Sequence, residues 1–267
     1  MFKKIAASSV GARRRQWLAL AAGLLVAGQA SAAGEAAARK YVAVSLLGDT
    51  VHVVTRQDQT GSRLDANLRE SFEFNGGVFD QAALAALDAA VRKTDTSAQF
   101  FGLKLPSAKV FGDPQALIDG ERFVTPAALV PVLKQVQATH LLLITNFRTD
   151  NKIRSMDESV GLGYLEGQGF FIDRDRWMKA ESDSERYKGF LAPYTYFKVS
   201  LVDLASGKVL GNQQVTRGQA WISKRKEAAA NPWEVFTTEQ KVEALRTQIR
   251  EEITAAVPVL LQPLQAK

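Results

Sequence analysis

The stretch that decides the fold is Thr139-His140-Leu141-Leu142-Leu143-Ile144-Thr145, an apolar run in which apolar and polar residues do not alternate. A run of this kind is typical of a strand buried on both faces of a sheet. Residues 125–136 precede it, begin with the helix-start pair Thr125-Pro126, and carry apolar residues at three- and four-residue spacing. A helix leading into a doubly covered strand indicates a crossover, so we predict an α/β or α+β fold whose mixed sheet contains a parallel pair.

The amino-terminal half of the chain supplies further predicted elements of this sheet. The runs 41–47 and 50–55 are rich in β-branched residues and flank Gly48-Asp49, a pattern that predicts a hairpin with a type II′ turn. A helix is predicted from Asp80, as N-cap, to about residue 93. Residues 99–105 predict a short strand that ends at a proline.

The carboxyl-terminal half closes the predicted sheet. A second hairpin is predicted over residues 194–216, with Gly207 in the left-handed conformation of its loop. Thr237 and Gln240 have the spacing of a capping box at the start of a last helix, which Pro258 should end or bend. The prediction is therefore a mixed sheet with hairpins at both ends and three main helices packed on it.

The amino terminus has the pattern of an export signal. Five basic residues and no acidic one lie near it, an apolar run follows over 17–26, and Ala30-Ser31-Ala32 fits a signal-peptidase site. We predict a signal peptide over residues 1–32, a single globular domain over 33–267, and a periplasmic location. The pair Arg14-Arg15 resembles a twin-arginine signal, so the general and the twin-arginine export routes both stay open.

Charge and cysteine content exclude several classes of function. The chain has 34 basic and 28 acidic residues, and residues 1–32 hold five of the basic ones and none of the acidic ones. The predicted mature protein thus has 29 basic and 28 acidic residues, too balanced for the basic face that nucleic-acid binding needs. The chain has no cysteine, so it has neither disulfides nor thiolate metal ligands.

No pattern in the sequence predicts a catalytic, cofactor-binding or metal-binding residue. His52 and His140 each lie inside an apolar strand run, which favours a structural role. The glycines between 161 and 169 lack the spacing of a dinucleotide-binding loop. The acidic pairs Asp173/Asp175 and Glu251/Glu252 have the character of solvated strand and helix positions. An enzymatic function is disfavoured, and we expect no cofactor.

Two stretches carry a resemblance to known families. Ala138-Thr139-His140-Leu141-Leu142-Leu143-Ile144, after its helix, and the hairpin from Val199 to Leu210 resemble the periplasmic α/β domain of CsgG-like secretion proteins and the TolB amino-terminal domain. Gly48-Asp49-Thr50, Gln59-Thr60-Gly61-Ser62-Arg63-Leu64-Asp65 and Gly189-Phe190-Leu191-Ala192-Pro193-Tyr194 resemble an uncharacterised family of exported proteobacterial proteins. The first resemblance implies an α/β fold, and the second implies no activity.

Residues 148–193 are too long for an ordinary connection and are interpreted as an inserted segment. Its first part is rich in glycine and aromatic residues, and its second part is charged. In CsgG-like proteins, by resemblance, such insertions assemble or meet the membrane. We predict that Tyr164, Phe170, Phe171 and Trp177 form an interaction surface for an envelope protein or the membrane. The alternative is that these aromatic residues cover one end of the sheet, and the sequence leaves both open.

Three function classes follow from these patterns. The first is a non-enzymatic periplasmic accessory or adaptor protein that contacts envelope proteins or the membrane face. The second is a small-ligand binding protein with a cleft at the ends of the parallel strands, for which Asn146, Arg148 and Asp150 form the candidate ligand cluster. The third is a hydrolase with an unusual carboxylate site, for which the sequence offers no positive feature.

The export signal gives the first testable prediction. Protein recovered from the periplasm should begin at Ala33, because Ala30-Ser31-Ala32 has the small residues that signal peptidase requires. Intact-mass measurement and amino-terminal sequencing check this start. A mature protein that still carries Arg14-Arg15 would contradict it.

Overall fold

A computed structural model describes residues 38–57, 66–155, 158–179, 185–223 and 231–265. The described residues all belong to one compact unit. The predicted signal peptide and the family-like stretch 59–65 lie outside the described residues. None of the helices in the described ranges is long and apolar enough to cross a membrane.

The described part of the chain contains three α-helices, two short 3₁₀ helices (Pro114–Leu117 and Pro232–Val235) and thirteen strands. The helices are α1 (Val78–Thr94), α2 (Val130–Val136) and α3 (Thr238–Gln265). The strands are β1 (Lys40–Leu46), β2 (Thr50–Thr55), β3 (Leu68–Glu73), β4 (Gln99–Leu103), β5 (Ile118–Asp119), β6 (Arg122–Phe123), β7 (His140–Asn146), β8 (Arg148–Asp150), β9 (Arg154–Ser155), β10 (Glu158–Ser159), β11 (Tyr164–Lys179), β12 (Arg186–Asp203) and β13 (Lys208–Gly218). Eleven strands form one open mixed sheet, and β9 and β10 pair separately.

The predicted central strand, β7, lies inside the sheet between β1 and β12. β7 runs parallel to β1, with Tyr41 opposite His140, and antiparallel to β12, with Val199 opposite Ile144. Residues 141–145 are all buried, as expected of a strand covered on both faces. β4 pairs in parallel with the other edge of β1. The prediction of a mixed sheet with a parallel pair and three helices is confirmed.

β12 changes partner halfway along its length. Residues 197–203 pair with β7, whereas residues 186–196 pair with β11, which in turn lies parallel to β2. β13 pairs with the other edge of β12 through the predicted hairpin, and Gly207 has the predicted left-handed φ of 70°. The sheet therefore splits into a β7–β1–β4 branch and a β11–β2–β3 branch, both held by β12.

The two faces of the sheet bury separate apolar clusters. On one face α1 and α3 pack against both branches, and Leu87 and Ile249 of the helices share one apolar cluster with Leu142 and Phe170 of the strands. On the other face, one cluster lies over the β7 branch around Leu143, and a second lies over the β11 branch. The residues 148–193, predicted as an insertion, form β8 to β11 and the start of β12, so they belong to this layered structure.

The predicted hairpin of residues 41–47 with 50–55 is wrong. β1 pairs with β4 and β7, and β2 pairs with β3 and β11, although Gly48 has the predicted positive φ of 70°. The Gly48-Asp49 turn instead carries the chain from one branch of the sheet to the other. The physical reason is that β1 is apolar on both faces, which suits a position between two parallel strands better than a hairpin.

The helix boundaries differ from prediction at three places. Asp80 is not the N-cap of α1: Gly77 holds that position, and Asp80 lies in the first turn. The helix predicted from Thr125 begins at Val130. The capping box of α3 is confirmed by the Thr237–Gln240 bonds, but α3 continues through Pro258 to its end. Burial of Val257, Leu260 and Leu261 near Pro258 offsets the loss of one backbone N–H.

Gly169 of β11 gives a test of this packing. A Cβ at Gly169 would lie 2.1 Å from the His52 carbonyl oxygen and 2.6 Å from the Tyr194 hydroxyl, so Gly169→Ala should destabilise the protein by about 1–3 kcal/mol. Gly211→Ala is the matched control, because its Cβ would make an ordinary 3.6 Å contact with Leu260, and should change stability by less than about 1 kcal/mol. Chemical denaturation measures both variants. Equal stabilities would show that β2, β11 and β12 are not packed this closely.

Candidate functional site

The end of the β11–β12 ladder presents one exposed face. Trp177 lies opposite Lys188, and Lys179 lies opposite Arg186. Residues directly opposite, and residues two apart on one strand, share a face of an antiparallel pair. All four side chains are exposed, and Trp177 is 58% exposed. We call Trp177, Lys179, Arg186 and Lys188 the hairpin face.

A buried aspartate fixes the direction of this ladder end. The Asp173 carboxylate forms a 2.8 Å ion pair with Arg56. It also accepts hydrogen bonds from the backbone N–H groups of Asp175 and Arg176, each 3.0 Å long. The β11–β12 register shifts between Asp173 and Trp177. A bulge of this kind re-aims the side chains beyond it. The expectation that Asp173 is solvated is wrong, since it is only 1% exposed, whereas Asp175 is exposed and pairs with Lys188 at 3.1 Å.

The side of the ladder opposite the hairpin face packs against the protein. Met178, between Trp177 and Lys179, is buried in the apolar cluster that contains Phe171 and Phe190. Tyr187, opposite Met178, is half-buried. One side of the ladder end is therefore anchored, and the other is open to solvent.

The predicted aromatic surface is only partly present. Phe170 is 2% exposed and Phe171 is 0% exposed, so both are core residues and cannot contact a partner. The prediction that they belong to an interaction surface is wrong, because successive strand residues point to opposite faces and both faces here are covered. Tyr164 is half-buried beneath the guanidinium of Arg148, 5.3 Å from its ring centroid. Of the four, Trp177 alone is exposed.

The predicted ligand cluster does not converge. Arg148 and Asp150 are exposed on β8. In the antiparallel β8–β11 ladder, Arg148 lies opposite Glu166 and Asp150 lies opposite Tyr164. Asn146 ends β7 at the split of the sheet, and its Nδ2 donates to the Leu47 carbonyl oxygen over 3.3 Å. Asn146 thus belongs to a different group from the other two.

Gln168 joins Asn146 at the split, and the sequence analysis missed it. Its Nε2 donates to the carbonyl oxygens of Leu47, Gly48 and Thr50 over 3.2, 3.0 and 2.9 Å, so this one amide holds the turn between the two branches. The side-chain oxygens of Gln168, Asn146 and Asp49 are buried and have no hydrogen-bond partner within the described residues. Three such acceptors fit water or a ligand that donates N–H or O–H groups. A glutamine between two glycines, at 167 and 169, was the only sequence signal available.

The two histidines are placed as structural residues. His52 Nδ1 lies 2.9 Å from the Ser71 hydroxyl, and His140 Nδ1 lies 2.8 Å from the Thr139 hydroxyl. Burial lowers the pKa of each imidazole below its ordinary value. Among the described residues neither ring is hydrogen-bonded to a carboxylate, the arrangement that orients a histidine base in a catalytic triad.

The remaining acidic groups do not assemble into a metal centre in the described ranges. No cluster of three or more His, Asp or Glu residues placed to bind a metal occurs there. Glu251 is exposed on α3, and Glu252 pairs with Arg217 at 3.7 Å. Asp80 is structural as well: its Oδ1 accepts from the Ser45 hydroxyl and the Leu47 N–H, while burial raises the pKa of its carboxyl.

Comparison with known proteins places the chain near several solved structures at low similarity. A DUF330 protein from Xanthomonas campestris is 11% identical, with 86% of this chain and 88% of that chain covered and a TM-score of 0.36. PelC from Paraburkholderia phytofirmans, a dodecamer, is 13% identical, with 88% and 96% covered and a TM-score of 0.28. A hypothetical protein from Chlamydia trachomatis is 13% identical, with 82% and 98% covered and a TM-score of 0.29. No protein-family model and no curated protein sequence matches the chain.

The two half-buried histidines predict a pH dependence of stability. Because burial lowers the pKa of His52 and His140 from the ordinary 6.5, the unfolded chain binds more protons than the folded one as the pH falls through that value. Stability should therefore decline from about pH 7.5 to about pH 5, and less steeply in the double variant His52→Gln/His140→Gln.

Urea denaturation at a series of pH values measures these slopes. Equal slopes in the wild type and the double variant would contradict the prediction. A loss of a specific activity without a change in stability would show that one of the histidines is functional.

Proposed function

We propose that the chain is a non-enzymatic periplasmic accessory or adaptor protein that contacts an envelope protein or the membrane face through the hairpin face. The hairpin face supports this proposal most directly: an exposed Trp177 surrounded by three exposed cations, on a strand pair whose other side is anchored in the core. Tryptophan at a contact buries a large apolar ring and keeps its N–H near water, which suits both kinds of partner.

The charges around Trp177 favour a role for this residue in binding a partner. Lys188 is partly offset by Asp175, whereas Lys179 and Arg186 have no ion-pair partner within the described residues. Lysine and arginine beside an aromatic residue complement carboxylate or phosphate groups around an apolar contact. The periplasmic location belongs to the same proposal and rests on the signal pattern of residues 1–32.

Small-ligand binding is a second candidate, favoured by the unpaired acceptors at the split of the sheet. Asn146 Oδ1 and Gln168 Oε1 lie near the carboxyl end of β1 and β7, the end of a parallel pair at which ligands bind in open α/β sheets. A donor-rich small molecule that co-purifies with the wild type, and is lost from Asn146→Ala, would favour this candidate. Native mass spectrometry makes the comparison.

Site-specific photo-crosslinking in cells tests the hairpin face. A benzophenone amino acid at position 177 should crosslink to one envelope protein or to lipid, whereas the same group at Val259 should not. Val259 is the control because it is 53% exposed and lies on α3, not on the two strands of the hairpin face. Equal labelling at both positions, or none at 177, would contradict the proposal.

Trp177→Ala supplies the companion measurement. It should abolish the crosslinked association as read from a probe at Lys188, while changing the free energy of unfolding by no more than about 0.5 kcal/mol, since the side chain is exposed. A large loss of stability would show that Trp177 supports the fold instead.

A further inference from the structure

The turn between β1 and β2 brings two carboxylates together. Asp49 accepts a 2.8 Å hydrogen bond from the Gly77 N–H through Oδ2, and Asp80 accepts from the Leu47 N–H through Oδ1. Burial raises the pKa of the Asp80 carboxyl, and the charge of Asp49 acts in the same direction. Among the ion pairs of the described residues, none involves either carboxylate. The turn therefore concentrates negative charge that no side-chain cation in the described ranges offsets.

Three buried and unpaired oxygen atoms belong to side chains at this turn: Asp49 Oδ1, Asn146 Oδ1 and Gln168 Oε1. Gln168 Nε2 and Asn146 Nδ2 donate to the same acceptor, the Leu47 carbonyl oxygen, over 3.2 and 3.3 Å. Gln168 Nε2 also donates to the carbonyl oxygens of the two residues on either side of Asp49. Two amide groups and one carboxylate thus lie around a single turn.

The contacts of the two amides fix which end of each is the acceptor. A carbonyl oxygen only accepts hydrogen bonds, so the end of Gln168 that faces three carbonyls is its NH₂ group, and the same holds for Asn146. The amide oxygens are left over as acceptors. Gln168 is 1% exposed, whereas Asn146 and Asp49 are half-buried. The group therefore has a buried floor and a rim that solvent reaches.

We propose that this turn binds the ammonium group of a primary amine. The proposal rests on small-ligand binding, the second function proposed above, and names the class of the ligand. An ammonium group has three N–H donors and no acceptor, which matches three acceptors that lack donors. One of the three belongs to a carboxylate, which supplies the opposite charge, and charge-assisted hydrogen bonds are about twice as strong as neutral ones.

Other ligand classes match this group of atoms less well. A neutral hydroxyl offers one donor and also has lone pairs to satisfy, but the NH₂ groups of Gln168 and Asn146 already donate to backbone carbonyls. Calcium takes about six to eight oxygen ligands, twice the number of unpaired oxygens here. The described residues also contain no cluster of three or more His, Asp or Glu placed to bind a metal. The ammonium group is the class that the acceptors favour.

NMR titration of the nitrogen-15-labelled protein with propylamine tests the site. Propylamine is positively charged at about pH 7, as lysine is. The side-chain NH₂ signals of Asn146 and Gln168 report binding directly, because the oxygen of the same amide would accept from the ammonium group. Both signals should shift to saturation with propylamine. Propanol, which replaces the ammonium group by a hydroxyl, and potassium chloride and calcium chloride at equal ionic strength should not shift them in this way.

Asp49→Asn tests the role of the carboxylate. It removes the charge but keeps a side-chain oxygen for the Gly77 N–H, and it should weaken propylamine binding by about tenfold or more. Glu251→Gln removes an exposed charge on α3 and is the matched control, which should bind like the wild type. Circular dichroism checks that each variant is folded. If Asp49→Asn does not fold, Asn146→Ala replaces it and should also weaken binding, read from the Gln168 signal, since one of the three acceptors is lost.

The possible failures separate the two proposals. Saturable shifts with propanol or calcium chloride but not with propylamine would overturn the ammonium class and leave small-ligand binding standing. Equal shifts with potassium chloride and propylamine, or equal affinities of the wild type and the folded variant, would also overturn it. If no probe shifts either signal, ligand binding at this turn is itself contradicted.

Discussion

The structure depends on one strand that serves two branches of a sheet. β12 holds β7 through residues 197–203 and β11 through residues 186–196, so its hydrogen bonds fix the position of every other long strand. The change of partner falls between Tyr196, opposite Gly167, and Phe197, opposite Asn146. Gly167 has a φ of 63°, and a Cβ there would lie 3.3 Å from the Asn146 side chain. A side chain here would strain the backbone and require Asn146 to shift, so glycine suits the position where the two branches meet.

At the split of the sheet, side-chain amides donate hydrogen bonds to backbone carbonyl groups that have no partner in the sheet. Where two strands separate, carbonyl groups lose their ladder partners, and a buried unpaired carbonyl costs about 1–3 kcal/mol. The amides of Gln168 and Asn146 donate to the carbonyls of the turn after β1, which joins the branches. The same arrangement leaves their own oxygens unpaired, so the polar group that stabilises the fold also provides the candidate ligand site.

Local signals in the sequence predicted the elements that local physics determines. The uniform apolar run of β7, the Gly207 turn and the Thr237–Gln240 capping box each appear as predicted, because each depends on residues close in sequence. The β1–β2 hairpin failed because strand partners are chosen by burial across the whole sheet, and the apolar β1 gained more between β4 and β7. Gln168 was missed because its three acceptors lie more than a hundred residues earlier in the chain.

The aromatic residues show the same limit for the candidate site. Phe170, Phe171 and Trp177 look alike in a sequence, yet the first two lie where both faces of β11 are covered, and Trp177 lies beyond the bulge held by Asp173. Only the three-dimensional arrangement separates a core aromatic from a contact aromatic. The hairpin face is then the place where the layered core ends and an anchored strand pair presents tryptophan and cations to solvent.

Hydrogen–deuterium exchange with and without envelope membranes tests this account most directly. In the free protein, amides of Val199–Val202 should exchange only on global unfolding, and amides around Trp177 and Arg186 should exchange much faster. Adding membranes should slow exchange around Trp177 and Arg186 and leave the rest of β12 unchanged. Slower amide exchange elsewhere with no change at the hairpin face would contradict binding through that face. Rapid amide exchange of Val199–Val202 in the free protein would contradict the role of β12 as the strand shared by both branches.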